Sequence, residues 1–117
     1  MGDSRYVRVQ PLGAIVLAEV LREKITEHEN QPVFTELTAA AEGSGHRLAV
    51  DLTGVGLLSS AGLGGFITLH KACNSGGGKL VLFGVQSQIL DVLKLTHLDK
   101  LLSIADSRDA AIKKAGA

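Results

Sequence analysis

Residues 47–83, RLAVDLTGVGLLSSAGLGGFITLHKACNSGGGKLVLF, change their hydrophobic period twice, and that change decides the fold. RLAVDL (47–52) is a short apolar run with glycines before it and Thr53 and Gly54 after it, the pattern of a buried central strand. From Gly62 onward Leu63, Phe66, Ile67, His70 and Cys73 recur at helical spacing until the triplet Gly76, Gly77 and Gly78. KLVLFG (79–84) then reads as another buried strand. Strand, helix, strand is the unit that joins parallel neighbours, because parallel strands need a crossover long enough to return the chain to the same edge.

The flanking sequence extends this unit in both directions. Upstream, Arg5–Gln10 partly alternates polar and apolar, and AIVLAEVL (14–21) is rich in branched aliphatics. With Pro11, Leu12 and Gly13 between them, the two runs fit a pair of strands joined by a tight turn. TEHENQ (26–31) is polar, and Pro32 fits an early helical position, followed by Val33, Phe34, Leu37 and Ala40 at helical spacing. This first helix should end near Gly43 and Gly45. Downstream, Ser87 can cap a third helix carrying Ile89, Leu90, Leu93 and Leu98, LLSIAD (101–106) offers a last short strand, and Ser107 can cap a closing helix to Lys114. The expectation is one α/β domain over residues 1–117: a mixed, mostly parallel sheet of about five strands, with about four helices packed mainly on one face.

Composition narrows the function classes. Hydrophobic residues make up 45% and charged residues 21%, the balance of a globular chain rather than a disordered one. Twelve basic and twelve acidic side chains cancel, so no basic excess supports direct nucleic-acid binding. The start, MGDSRYVRVQ, has no basic stretch leading into an apolar core, and no run approaches the ~20 apolar residues of a membrane span. One cysteine, Cys73, excludes an internal disulfide and suits a reducing cytoplasm. Three Phe, one Tyr and no Trp leave little for a base-stacking platform.

The candidate chemistry is thin. His28, His46, His70 and His97 show no metal-ligand spacing, so no metal or other cofactor is expected; His70 fits a half-buried, hydrogen-bonded residue of the helical stripe. Gly76, Gly77, Gly78 and Lys79 follow a helix and precede a strand, the reverse of a phosphate-binding loop, and read as a helix terminus plus a turn. Cys73 has no neighbouring cation to activate it and reads as a structural thiol. Ser59 and Ser60 stand at the start of the central helix, where unpaired N–H groups and the positive end of the dipole favour an anion. Local chemistry leaves two readings, an N-cap or a phosphate acceptor; no GxSxG motif and no adjacent base point to a nucleophile, so no enzyme is expected.

The stretch DLTGVGLLSSAGLGGF and the later GGGKLVLFGVQSQILDVLKLTHLDKLLSIADSRDAAI resemble the STAS family of bacterial anti-sigma factor antagonists, over most of the chain and most sharply from Asp51 to Asp106. The likeness rests on Ser59, Ser60, Ala61, Gly62, Leu63 and Gly64, and on Leu95, Thr96, His97, Leu98, Asp99 and Lys100. It implies the STAS fold, with Ser60 as phosphoacceptor and Ser59, Ala61, Gly62, Leu63 and Thr26 as partner-binding residues. Two positions depart from the family pattern. Ser59 stands where aspartate is usual, and His97 where a left-handed glycine is expected. Asp51 is expected only to end its strand.

The resemblance further implies a non-enzymatic cytoplasmic switch. The unmodified protein would bind an anti-sigma factor serine kinase and free a sigma factor; phosphorylation of Ser60 would separate the pair, and a serine phosphatase would reset it. Homodimer formation is left open. Two other roles share the fold: a scaffold subunit of a large stress-sensing complex, and a soluble subunit of a transporter.

Overall fold

The computed structural model describes residues 6–116. Seven strands and five helices follow in the order β1 (Val7–Leu12), β2 (Ile15–Val20), β3 (Lys24–Ile25), α1 (Glu27–Glu42), β4 (Arg47–Asp51), β5 (Leu57–Leu58), α2 (Ser60–Ser75), β6 (Lys79–Phe83), α3 (Ser87–Leu95), α4 (Leu98–Leu101), β7 (Ser103–Ala105) and α5 (Arg108–Gly116). The main sheet has the order β1-β2-β4-β6-β7. Its first pair is antiparallel and the other three pairs are parallel, as the strand–helix–strand reading requires. The short β3 and β5 form a separate parallel ladder.

Strand alternation divides the core into two layers. Val16, Ala18, Leu48, Val50, Leu80 and Leu82 meet the buried stripes of the first three helices: Val33 and Leu37 of α1, Phe66 and Leu69 of α2, and Ile89 and Leu93 of α3. Residues of opposite parity, Ile15, Leu17, Ala49, Val81 and Phe83, face away and are covered by α5 through Ala111 and Ala115. The helices therefore lie mainly on one face, with α5 alone on the other. Between α1 and α2, the Phe34 ring stands edge-on to Phe66 at 4.8 Å and lies over Gly65, whose missing side chain leaves the space.

Several element bounds differ from the sequence reading. The hairpin turns at Gly13 and Ala14, with Leu12 opposite Ile15, so Pro11 and Leu12 belong to β1; the expected strand start at Arg5 lies outside the described residues. Helix α1 begins five residues before Pro32, because Thr26 and Glu29 form a capping box that draws the polar EHENQ into the helix. Thr26 N donates to Glu29 Oε1 at 2.9 Å, and the Thr26 hydroxyl bond holds the Glu29 carboxyl below the usual range. Gln86, not Ser87, occupies the N-cap of α3, and its amide donates to Thr53 O at 2.8 Å. Leu98 does not continue α3: His97 adopts φ 61° and starts the separate turn α4, making five helices rather than four. Ser107 does cap α5, accepting from Ala110 N at 3.1 Å.

The glycine triplet ends α2 and permits a tight contact. A Cβ on Gly78 would lie 1.9 Å from His46 O, and Lys79 N donates to that same oxygen at 2.7 Å. Only glycine lets the two backbones approach so closely. Cys73 is fully buried on α2, and desolvation pushes its thiol up to about 11.

Candidate functional site

The ladder between β3 and β5 brings the N-termini of α1 and α2 side by side. Lys24 pairs with Leu57 and Ile25 with Leu58; Gly56 N donates to Glu23 O at 2.8 Å and Ser59 N to Ile25 O at 3.0 Å. Each strand runs directly into a cap, Thr26 for α1 and Ser59 for α2. Gly62 makes the junction possible. A Cβ there would sit 2.5 Å from Leu58 Cδ1 and 3.2 Å from Ile25 O, so a side chain would have to displace the Leu58 methyl and crowd the Ile25 carbonyl.

The two adjacent hydroxyls differ in environment. Ser59, half-buried in extended conformation, accepts from Gly62 N through Oγ at 3.3 Å, while its carbonyl takes the first helical bond from Leu63 N at 2.9 Å. Ser60 is the first helical residue, is exposed, and its hydroxyl makes no hydrogen bond to the described residues. The first turn of α2 holds no acidic residue, whereas that of α1 holds Glu27 and Glu29. The positive end of α2 is therefore left without a carboxylate of its own, a setting in which an added anion is stabilised.

Beside Ser60 lies a groove of about 220 Å³ under Gly56, lined by Leu57 and Leu58 of β5, Leu63 of α2, and Gln88, Ile89 and Val92 of α3. Leu57 and Val92 are 49% and 39% exposed, and Leu95, further along α3, is 80% exposed. A run of exposed aliphatic side chains thus starts beside the N-terminal end of α2 and crosses α3.

A family model for the STAS domain matches residues 14–111. The chain belongs to the STAS family. Solved structures agree in fold. This STAS domain is similar to an anti-sigma factor antagonist (STAS) domain protein from Planctomyces limnophilus, at 19% identity and TM-score 0.84, covering 95% of this chain and 98% of that one. It is similar to an anti-sigma factor antagonist from Mycobacterium paratuberculosis, at 18% identity and TM-score 0.79, covering 95% and 93%. It is also similar to the Bacillus cell fate determinant SpoIIAA in its phosphorylated form, at 13% identity and TM-score 0.68, covering 92% and 97%.

Of the residues singled out from the sequence, the STAS domain brings Ser59, Ser60, Ala61, Leu63 and Thr26 together at one end of the sheet. Gly62 joins them but is buried, so its small size serves the packing of α2 on β3 and β5. Asp51 ends β4, where its carboxylate accepts from Thr53 N at 2.9 Å. His70 is half-buried and accepts from Asn74 Nδ2 at 3.2 Å. Among the described residues no group of three His, Cys, Asp or Glu is gathered to hold a metal, and no helix is long and apolar enough to cross a membrane. The sequence reading missed Leu57 and Val92. For Val92 the signal lay in α3, where Ile89, Leu90, Val92, Leu93 and Leu95 make an apolar face wider than the core can cover; Leu57, in the two-residue β5, had none.

Proposed function

We propose that the chain is an anti-sigma factor antagonist that binds an anti-sigma factor serine kinase, thereby freeing a sigma factor, and is switched off by phosphorylation at Ser60. The observation that supports this reading is the contrast between the two serines: Ser59 is occupied as a cap, and Ser60 is exposed and unbonded at the same helix start. A phosphate on Ser60 adds about −1.5 to −2 charge. At the positive tip of α2 the fold tolerates that charge, but a protein seated on Leu57, Leu63 and Val92 would have to bury it or leave. The phosphorylated state of the Bacillus neighbour, a property of that protein, supports the same reading for this fold.

In this scheme the chain is substrate and ligand. ATP chemistry belongs to the kinase, a protein of the histidine-kinase-like ATPase class, and a cytoplasmic metal-dependent serine phosphatase removes the phosphate. Incubation with the host's kinases of this class and ATP, followed by mass spectrometry, tests the assignment on wild type, Ser60→Ala and Ser59→Ala. Label should vanish in Ser60→Ala and persist in Ser59→Ala. Label lost only in Ser59→Ala would move the acceptor to the capping serine. Ser60→Asp should bind the kinase more weakly than Ser60→Ala, and equal affinities would remove the switch.

A further inference from the structure

Gln86 stands at the N-cap of α3, yet its side chain makes no cap bond. It reaches back across the chain instead: Nε2 donates to Thr53 O at 2.8 Å, which leaves Oε1 to accept from Gln88 Nε2 at 2.7 Å. These bonds have one direction, because an amide that donates through its nitrogen can accept only through its oxygen, so Gln88 orients Gln86 and Gln86 holds Thr53. Gly56 lies against both amides. A Cβ on it would sit 3.7 Å from Gln86 Oε1 and 3.8 Å from Gln88 Nε2, and on its other side Gly56 N donates to Glu23 O at 2.8 Å. Only Leu57, Leu58 and Ser59 separate Gly56 from Ser60. The turn itself has independent support, since Val55 is fully buried and Val55 N donates to Leu52 O at 2.9 Å. Solvent-exposed amide bonds add little to the fold, and a short capping side chain at position 86 would stabilise α3 more. The two glutamines therefore serve the placement of the Thr53–Gly56 turn better than they serve stability.

We infer that Gln86 and Gln88 are positioning residues for phosphoryl transfer to Ser60: they tie the turn before the acceptor to α3 and so fix where its hydroxyl is presented. The inference rests on the reading of Ser60 given above. In the transfer, Ser60 Oγ forms a bond to the γ-phosphorus of ATP while the bond from that phosphorus to its bridging oxygen breaks; ADP leaves, and the hydroxyl proton passes to a base of the kinase. The attacking and leaving oxygens must stand roughly in line through the phosphorus. A shift of about 1 Å in the attacking atom can cost up to about 10²-fold in rate even when its cause is remote from the chemistry. The β3–β5 ladder holds the segment leading to Ser60 on one side only, and the glutamine pair supplies the tie on the other.

The test uses the full chain as variable substrate for the kinase that labels it, and measures KM and kcat for wild type, Gln86→Met, Gln88→Met and the double variant, with thermal melts of each. Methionine keeps the side chain unbranched and adds no charge beside the acceptor, but it cannot donate. Gln86→Met should lower kcat about tenfold with KM within about twofold, and should melt within about 3 °C of wild type. Gln88→Met should lower kcat about threefold and carries the test should Gln86→Met misfold. The double variant should fall no further than Gln86→Met, because Gln88 acts through Gln86. A raised KM at unchanged kcat would make these side chains direct kinase contacts, and unchanged KM and kcat would make the tie purely structural. Either result, with Ser60 still labelled, would overturn the positioning role and leave the Ser60 reading standing. Additive losses in the double variant would refute the ordered pair. No label on wild type from any host kinase of this class would overturn both readings.

Discussion

Replacing each of the two serines with alanine separates their roles through stability alone. Ser59 Oγ accepts from Gly62 N at 3.3 Å, longer than an ideal bond, so its loss belongs to the lower part of the capping range, about 0.5–1 kcal/mol. In a chain of this size that lowers the thermal midpoint by roughly 2–6 °C. Ser60 holds no cap bond, and alanine is the better helix former, so Ser60→Ala should fall within about 0.5 kcal/mol of wild type. Urea unfolding followed by circular dichroism, with a shared m-value, resolves the difference. The phosphorylated chain belongs in the same series. A dianion in the first turn interacts favourably with the helix dipole, by about 0.3–1 kcal/mol, so modification should not lower the melting point. If Ser60→Ala lost as much as Ser59→Ala, or if phosphate destabilised the fold, the switch would act through the fold and not through an interface.

Two further outcomes follow from strain and burial. His97→Gly should stabilise the chain by about 1 kcal/mol, because a side chain at φ 61° is replaced by a residue with no penalty there; a lower melting point would refute the strain argument. Cys73 should resist iodoacetamide until the chain unfolds, since burial holds its thiol protonated up to about pH 11. The folded state binds that proton more tightly than the unfolded one. Its stability contribution is therefore complete below the free-thiol value of about 8.5 and declines as pH rises through about 11. Urea midpoints across that window should fall for wild type and stay flatter for Cys73→Ala; parallel curves would contradict the assignment.

The alternation of strands and helices was legible because burial imposes different periods on each, and RLAVDL and KLVLFG stand out on that ground. The start of α1 was hidden, since EHENQ carries no apolar period and is helical through the Thr26–Glu29 box. The β3–β5 ladder was invisible for another reason: it consists of backbone bonds between pairs of residues more than thirty positions apart, and two residues have no period. Helix α5 buries alanines, which give too weak a hydrophobic signal to reveal its face. At the site, tandem serines marked a helix start, but which hydroxyl caps depends on where the first helical bond forms. That position is set by the packing of Gly62 against Leu58. The groove needed β5 and α3 together, and no local stretch contains both.

The lone helix behind the sheet has a consequence for biogenesis. Because α5 is, among the described residues, the only cover for Ile15, Leu17, Val81 and Phe83, and follows every strand of the sheet in the chain, a nascent chain carries an uncovered greasy sheet until this segment is translated. During that interval the half-dressed sheet is the part most prone to stick to its neighbours, so the speed with which nine late residues arrive and dock governs the yield of native protein.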